Sequence, residues 1–348
     1  MSALDQPIFI ANSNYHVGHE VTFRVAEEQG FFKEEGLTRY LYAAGGLITG
    51  PFEREGLALA AKERGVDIMT AVNVDSIILQ RSKGAELFVV GGWRYESTPD
   101  LKWYAAKHIK ELRQLRGGRI GIRELSGLTH VVMSNALRSV GVDPDSEVEW
   151  VCDAAFAYRN NPDHIDMLLS GKVDAMTSAL PLSLRLEKEG FPVVLDPKAG
   201  SPKGRPGKVI VATARVIEHR SEELSAYLRA TLRAYWFQRD VSNFDYLRDL
   251  NLRLSQETCN DDERGMAIVT GPEKLDAWPI PIDGAIPHGV LETIIEEIAA
   301  TGKLSRPIAV KDVLVDRFVN EAYQQLIKRP ALQEAWKKAK AAVEKYGF

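Results

Sequence analysis

A polar segment with two histidines follows the first short apolar run of the chain, Ile8–Ala11. Imidazole titrates near pH ~6.5 and can act as a general acid or base, so His16 is a candidate catalytic group. His16 and His19 are three residues apart and could share a helix face as a metal-binding pair would, but no further ligand spacing accompanies them. We expect His19 to cap a helix or face solvent. The predicted ligand contacts of this segment are Asn12, Asn14 and Tyr15.

A second polar segment, Glu124–His130, stands between a predicted strand and a predicted helix. Ser126 suits a helix N-cap, and Gly127 lets the backbone come close to a ligand. The exposed N–H groups and the dipole of such a helix end attract carboxylate, sulfonate or phosphate. An ordinary N-cap without a ligand is the alternative. The predicted contacts here are Glu124, Ser126, Gly127 and Thr129, with His130 as a second candidate acid–base group.

Cys152 follows the predicted strand Val148–Val151, at the edge where a ligand would bind. Its thiol would be a nucleophile if its pKa were lowered, whereas most free cysteines are small buried hydrophobes. Arg159, seven residues further on, could pair with an anionic ligand or with Asp163. Both interpretations of each residue stay open at this point.

Four further loops carry groups that suit an acid ligand. Arg94 could form a bidentate pair with the acid group of the ligand, or it could belong to a structural ion pair. Trp93 could stack on a ring of the ligand, or it could be a core residue. Asp75 follows the third strand and could instead cap the next helix. The remaining predicted contacts are Asn73, Gly45, Gly46 and Ser178.

The elements that must position these residues alternate along the chain. Pro7–Ala11 has the pattern of a buried strand, and the valines at 17, 21 and 25 recur with the spacing of an amphipathic helix. The alternation continues as β-α-β-α-β-α-β to Val90, and it resumes from Trp103 to Leu195. Along the chain the pattern predicts helices at Phe52–Arg64, Val74–Ser82 and Ile109–Arg116, and strands at Leu87–Val90, Ala175–Ser178 and Lys208–Ala214. This order predicts mainly parallel sheets with helices on both faces, and the chain after Glu222 has a helical pattern.

The turn-rich segments Ser97–Asp100 and Pro197–Gly207 mark two crossings between lobes. We therefore predict one lobe from residues 1–96 and 205–348, including a helical tail, and a second from residues 97–204. Ligands of open parallel sheets bind beyond the carboxyl ends of the strands. That rule selects the loops named above and predicts a ligand cleft between the lobes.

Composition excludes several classes of protein. The 348 residues are 45% hydrophobic and 26% charged with a net charge of −4, so no basic face indicates a nucleic-acid partner. Two cysteines cannot form a disulfide framework, and no metal or organic cofactor is predicted. Ile8–Ala11 is too short to cross a membrane. Met1–Gln6 lacks the features of a leader, which predicts a cytoplasmic protein, or a periplasmic or lipid-anchored one if a leader was removed.

Three short segments carry a family resemblance. Gln29–Leu37 reads QGFFKEEGL, Gly65–Ile68 reads GVDI before a strand, and Gly171–Ala175 reads GKVDA before another. Together they resemble the nitrate/sulfonate/taurine branch of the type II periplasmic binding proteins, which includes relatives of the thiamine-pyrimidine synthase (NMT1/THI5-like). The resemblance covers roughly the first 215 residues. It implies a two-lobed α/β fold that closes around one small organic anion.

The resembling fold also hosts enzymes. The pyrimidine synthases carry a cysteine-rich motif that this chain lacks, and the dihydroxyphthalate decarboxylases resemble it only around Gly141–Pro144 and Val148–Trp150. The aromatic sulfinate desulfinases place a nucleophilic cysteine in the loop after the first strand. The corresponding segment Asn12–His16 contains no cysteine, so that mechanism is not carried over.

Two functions follow as hypotheses. The first is a cytosolic lyase that removes CO2 or SO2 from an aromatic acid, with the Ser126–Thr129 loop and Arg94 as the anion clamp and His16 or His130 as the proton donor. The second is the solute-binding component of an ABC importer, which would deliver an organic anion to membrane subunits. The sequence-based preference is for the lyase.

Overall fold

The structure is a computed structural model. It describes residues 6–12, 17–44, 58, 61, 64–95, 102–122, 125, 128–152, 162–178, 182–196, 206–259, 282–300 and 302–346. The chain divides into two compact units: unit 1 is Met1–Glu96 with Pro202–Phe348, and unit 2 is Ser97–Ser201.

The strands within the described ranges alternate with helices up to β10. In chain order they are β1 Ile8–Asn12, β2 Tyr40–Ala43, β3 Ile68–Asn73, β4 Leu87–Tyr95, β5 Lys102–Ala105, β6 Arg119–Ile122, β7 Glu149–Cys152, β8 Ala175–Ser178, β9 Val193–Leu195 and β10 Pro206–Thr213.

The helices within the described ranges are α1 Val17–Glu28, α2 Phe31–Glu34, α3 Val74–Ser82, α4 Leu128–Ser139, α5 Pro162–Leu169, α6 Leu182–Lys188, α7 Ala214–His219, α8 Ser221–Arg239, α9 Phe244–Cys259, α10 His288–Ala300, α11 Val310–Val313, α12 Arg317–Ile327 and α13 Gln333–Tyr346. None of the helices in this part of the chain is long and apolar enough to span a bilayer.

Unit 1 contains a five-stranded sheet in the order β2-β1-β3-β10-β4. β1 pairs in parallel with β2 and β3, whereas β10 runs antiparallel between β3 and β4. Apolar clusters cover both faces. One packs α1, α8 and α12 against residues such as Ile10, and the other packs α3 and α10 against residues such as Val72. Val21 and Val25 are buried in the first cluster, as the four-residue spacing predicts.

Unit 2 contains a second five-stranded sheet, in the order β7-β6-β8-β5-β9. β6 pairs in parallel with β7 and β8, and β5 runs antiparallel to β8 and β9. α4 covers one face, where Met133 and Leu137 pack on Ile120 and Ile122. α5 and α6 cover the other face, against Tyr104 and other side chains.

The C-terminal helices are tied to α2 by one buried carboxylate. Glu35 accepts hydrogen bonds from Arg229 of α8 at 2.8 Å, Arg233 of α8 at 2.8 Å and Arg329 at 2.7 Å. Its side chain is 1% exposed. Burial by itself raises the pKa of Glu35, but the three guanidinium groups outweigh that effect and hold the pKa below its ordinary value of 4.5.

Two predicted elements differ clearly from the structure, and a third cannot be compared with it. The predicted strand Leu87–Val90 extends to Tyr95, because pairing with β10 continues through Gly91 and Gly92, two residues that rarely favour strands. The predicted helix Ile109–Arg116 is a 3-10 turn at Leu112–Leu115, capped by the Gln114 side chain. The predicted helix over 52–64 lies almost entirely outside the described residues.

Candidate ligand-binding site

The carboxyl ends of β1, β3 and β4 lie at one edge of the sheet of unit 1. β10 runs the opposite way, so its first residues lie at that same edge. Asn12 ends β1 and Asn73 ends β3. Lys208 occupies the third position of β10 and pairs in register with Asn73. This edge is where the open-sheet rule places a ligand.

A buried polar network joins the end of β1 to α1 and β2. Nδ2 of Asn12 donates to Oε1 of Glu20 at 2.8 Å, and the hydroxyl of Tyr42 donates to the other carboxylate oxygen. Burial raises the pKa of Tyr42 well above its ordinary value, and the Glu20 carboxylate adds to that rise. The Tyr42 ring stacks on Phe23. The network fixes where the chain leaves β1 and enters α1.

Asn12 supports this network, and its predicted role as a ligand contact stays a prediction. It is fully buried and its amide nitrogen faces Glu20. His19, predicted to cap or to face solvent, is also buried. Sequence reasoning missed Glu20 and Tyr42, because a network among residues 12, 20 and 42 requires β1 and β2 to be neighbours. The local signal was a tyrosine three residues before the Gly45-Gly46 break.

Lys208 is a third residue that sequence reasoning missed. Its ammonium donates a 2.7 Å hydrogen bond to Oδ1 of Asn73. Asn73 is the N-cap of α3, yet its side chain does not cap the helix. Asp75 stands in the first turn of α3, where an acidic residue complements the helix dipole. The edge therefore presents an ammonium that is held in place by a neutral amide.

Trp93 belongs to the core of unit 1. It is 3% exposed, and its ring meets that of Tyr235 edge to face, with the centroids 6.2 Å apart. The Tyr235 hydroxyl donates to the carbonyl of Gly92 at 2.9 Å. These contacts favour the core role of Trp93 over stacking on a ligand.

The carboxyl edge of unit 2 collects polar residues in the same way. β8 ends at Ser178, and the antiparallel strand β5 begins beside it at Lys102. Ser178 is fully buried, and its Oγ makes no hydrogen bond within the described part of the chain. A buried hydroxyl without a partner is a group that a bound ligand can satisfy. The ammonium of Lys102 donates to Glu187 at 3.0 Å, as does the Tyr104 hydroxyl at 2.8 Å.

Cys152 and His130 lie on the same face of unit 2. Cys152 ends the edge strand β7 and is exposed, so it does not have the burial typical of a structural cysteine. His130 is in the first turn of α4, and its ring is 4.6 Å from that of Trp150, two residues before Cys152 on β7. Thr129 precedes His130 and is half-buried. Among the described residues, no three potential metal ligands cluster.

Several predicted contacts are left untested. Arg94 is described only as a position in β4, where it pairs in register with Lys208. The other predicted residues lie outside the described ranges and stay predictions: Asn14, Tyr15, His16, Gly45, Gly46, Glu124, Ser126, Gly127 and Arg159.

Known proteins share this architecture. The model of the family described as NMT1/THI5 like matches residues 19–240. No match is found among curated protein sequences. Among solved structures, the chain is similar to the periplasmic aliphatic sulphonate binding protein SsuA from Escherichia coli, with a TM-score of 0.66 and 15% identity over 89% of this chain and 92% of that one.

Two further structures show the range of proteins on this fold. The alkanesulfonate-binding protein SsuA from Xanthomonas axonopodis pv. citri, bound to MOPS, gives a TM-score of 0.63 at 14% identity over 89% of this chain and 99% of that chain. The desulfurization enzyme DSZB gives a TM-score of 0.62 at 14% identity over 91% of this chain and 99% of that chain. At sequence identities of 14–15%, structural similarity establishes the fold. The predicted class, a two-lobed α/β fold of the type II periplasmic-binding-protein kind, is confirmed.

Proposed function

The chain belongs to the NMT1/THI5-like family, and on this premise we propose that it binds one small organic anion, a sulfonate or a carboxylate, as the solute-binding component of an importer. The ligand would contact polar groups at the carboxyl edge of a sheet. The membrane subunits of the importer would be its partners, and a periplasmic or lipid-anchored location fits that role.

The observation that carries this proposal is the gathering of polar groups at the carboxyl edge of each sheet. Unit 1 presents the Lys208 ammonium, and unit 2 presents the buried hydroxyl of Ser178. A cation and a hydroxyl are the donors that carboxylate and sulfonate oxygens accept from. The similar solved structures include an alkanesulfonate-binding protein in complex with MOPS, an organic sulfonate.

A lyase on the same fold is the second candidate. The exposed Cys152 thiol and the His130 imidazole on one face of unit 2 support it, and so does the likeness to the desulfurization enzyme. The first 151 residues contain no cysteine, so the nucleophile expected after the first strand of a desulfinase is missing. The binding function is accordingly preferred, which reverses the order that the sequence favoured.

A thermal-shift screen with mass spectrometry separates the two candidates. The purified chain is heated with a panel of organic sulfonates, sulfinates and carboxylates, and each compound that raises Tm is incubated with it and recovered. A ligand that binds only the folded state raises Tm by mass action. Recovery of the compound unchanged supports the binding protein. Loss of the mass of CO2 or SO2 would make the chain a lyase.

A further inference from the structure

We propose that four cations at the amino edge of the unit 1 sheet form a docking surface for an acidic segment of a protein partner. The four residues, called the basic patch below, are Arg81, Lys83, Arg306 and Lys311. The proposed binding of an organic anion makes no use of this surface, so the two functions can be tested separately.

The basic patch lies at the edge of the sheet where the parallel strands begin. α3 starts at Val74, directly after β3, and returns along the sheet to end at Ser82. β4 then begins at Leu87 and is parallel to β3, because both strands are antiparallel to β10. Arg81 therefore lies at the opposite edge of the sheet from Asn73, away from the groups assigned to the small ligand.

Arg81 is held in place by uncharged groups. Its Nε donates to the backbone carbonyl of Asp312 at 2.7 Å, and its Nη1 donates to the backbone carbonyl of Ala85. The guanidinium lies over the ring of Phe88, 4.0 Å from the centroid. Two carbonyls and an aromatic ring fix the orientation of the guanidinium without neutralising its charge.

The segment that carries Arg306 packs against the end of α3. Nη2 of Arg306 donates to the backbone carbonyl of Arg81 at 3.2 Å, and the N–H of Ser305 donates to Oγ of Ser82 at 3.2 Å. Burial lowers the pKa of Arg81, and the positive charge of Arg306 adds to that fall. The like charges repel each other, and a carboxylate of a partner would offset that repulsion.

Lys83 and Lys311 extend the patch on the surface. Lys83 is the C-cap of α3, Lys311 belongs to α11, and both side chains are exposed. Within the described ranges, none of the four cations of the patch forms an ion pair with a carboxylate. Arg138 of unit 2, by contrast, pairs with Asp145 at 3.0 Å. The patch therefore offers cations that the described chain itself does not neutralise.

The charge balance of this surface favours a protein partner. Two carboxylates, Glu86 and Asp312, act on Arg81 from nearby, so four cations and two carboxylates leave a net charge of +2. A cation near an anionic membrane contributes about 1 kcal/mol, which makes a net charge of +2 a weak membrane anchor. A protein segment can place carboxylates against the cations alone, and the planar fork of arginine binds carboxylate through two hydrogen bonds.

Carbodiimide coupling maps such contacts, because it joins a carboxylate to a lysine amine that lies beside it. The probe is a short peptide of glutamate and aspartate with a blocked N-terminus, added to the full chain at low and at high salt. We expect peptide adducts mainly on Lys83 and Lys311, and far fewer on the exposed Lys172 of unit 2. High salt should suppress the adducts on the patch. Mass spectrometry of the digested chain locates them.

Fluorescence anisotropy of the labelled peptide gives the effect of each variant. Arg306→Glu should weaken binding by about three- to tenfold, because it replaces an exposed cation by an anion. Arg138→Glu makes the same change of charge on unit 2 and should have little effect. Glu86→Gln should strengthen binding by about twofold, since it removes a carboxylate beside the patch. Circular dichroism establishes that each variant is folded, and Lys83→Gln replaces Arg306→Glu should that variant not fold.

Three outcomes would overturn the inference. Adducts as frequent on Lys172 as on the patch would show that the peptide labels any exposed lysine. Equal losses of affinity for Arg306→Glu and Arg138→Glu would show that only the total charge matters. Binding to phosphatidylserine vesicles that Arg306→Glu abolishes, in a chain that does not bind the peptide, would make the partner a membrane. Titration of Arg306→Glu with an organic anion tests the proposed function separately, and we expect wild-type affinity.

Discussion

Arg329 donates a 2.7 Å hydrogen bond to the buried carboxylate of Glu35, 294 residues earlier in the chain. Arg329 lies between α12 and α13, and Glu35 directly follows α2. Two arginines of α8 bind the same carboxylate. The Glu35 carboxylate therefore links the last helices to the N-terminal part of unit 1. A local change at Glu35 should affect the stability of the whole unit.

Replacing Glu35→Gln should lower the free energy of unfolding by about 3 kcal/mol or more, because it leaves three guanidinium groups around an uncharged partner. Chemical denaturation measures this loss. Glu34→Gln is the matched control: its side chain is 60% exposed and, in the described part of the chain, pairs with Arg233. A loss for Glu35→Gln no larger than for Glu34→Gln would contradict the account.

The same carboxylate predicts a pH dependence. The pKa of Glu35 is lower in the folded chain than its ordinary value of 4.5. Its contribution to stability is therefore complete above about pH 4.5 and is lost as the pH falls through the folded-state pKa. Wild-type stability should fall more steeply than that of Glu35→Gln below this pH, as followed by denaturation at a series of pH values. Parallel curves would show that other carboxyl groups cause the acid sensitivity.

Tyr42→Phe should destabilise the chain by about 1–3 kcal/mol, since it removes a hydroxyl donor from the buried carboxylate of Glu20. Tyr40→Phe is the control, because its hydroxyl bonds the partly exposed Glu27 at 3.0 Å. We expect a clearly smaller loss for the control in urea titrations. Equal losses of stability would mean that the network at the end of β1 stabilises the chain no more than an ordinary surface contact does.

Ser178→Ala should leave the stability of the ligand-free chain unchanged or slightly higher, because the hydroxyl it removes is buried without a partner in the described structure. The same variant should bind the anion about tenfold more weakly if the ligand satisfies that hydroxyl. Ser134→Ala removes a similarly buried, unsatisfied hydroxyl from the middle of α4 and serves as the control. Calorimetry showing equal affinity for both variants would remove Ser178 from the site.

The exposed thiol of Cys152 can report on occupancy. In a Cys259→Ser background, Cys152 should react readily with a maleimide, and the anion should slow that reaction in proportion to the occupied fraction. Mass spectrometry follows the rate. The double variant lacking both cysteines is the blank. A rate that a saturating anion does not change would place the ligand away from the carboxyl edge of unit 2.

Much of the fold was predictable because local periodicity determines it. The helix Val74–Ser82 and the strand Ala175–Ser178 have the predicted bounds. The alternation of strands with helices also predicted helices on both faces of a mainly parallel sheet. The length of strand β4 was underestimated, because the pairing of Gly91 and Gly92 depends on β10, more than 100 residues away.

The site was less predictable because it depends on strand direction and on contacts between distant residues. Apolar periodicity indicates that 208–214 forms a strand but not that it runs antiparallel, and only the direction brings Lys208 to the ligand edge beside Asn73. The contact between Asn12 and Glu20 could not be predicted for a similar reason. Glu20 lies on the next helix, and nothing local shows that the two side chains meet.

Binding of one unmodified organic anion is tested by titration calorimetry of the full chain with the anion that most raises its Tm, followed by mass spectrometry of the recovered compound. We predict one molecule bound per chain and recovery of that molecule unchanged. Absence of binding across the sulfonates and carboxylates, or recovery of a product lighter by CO2 or SO2, would contradict it.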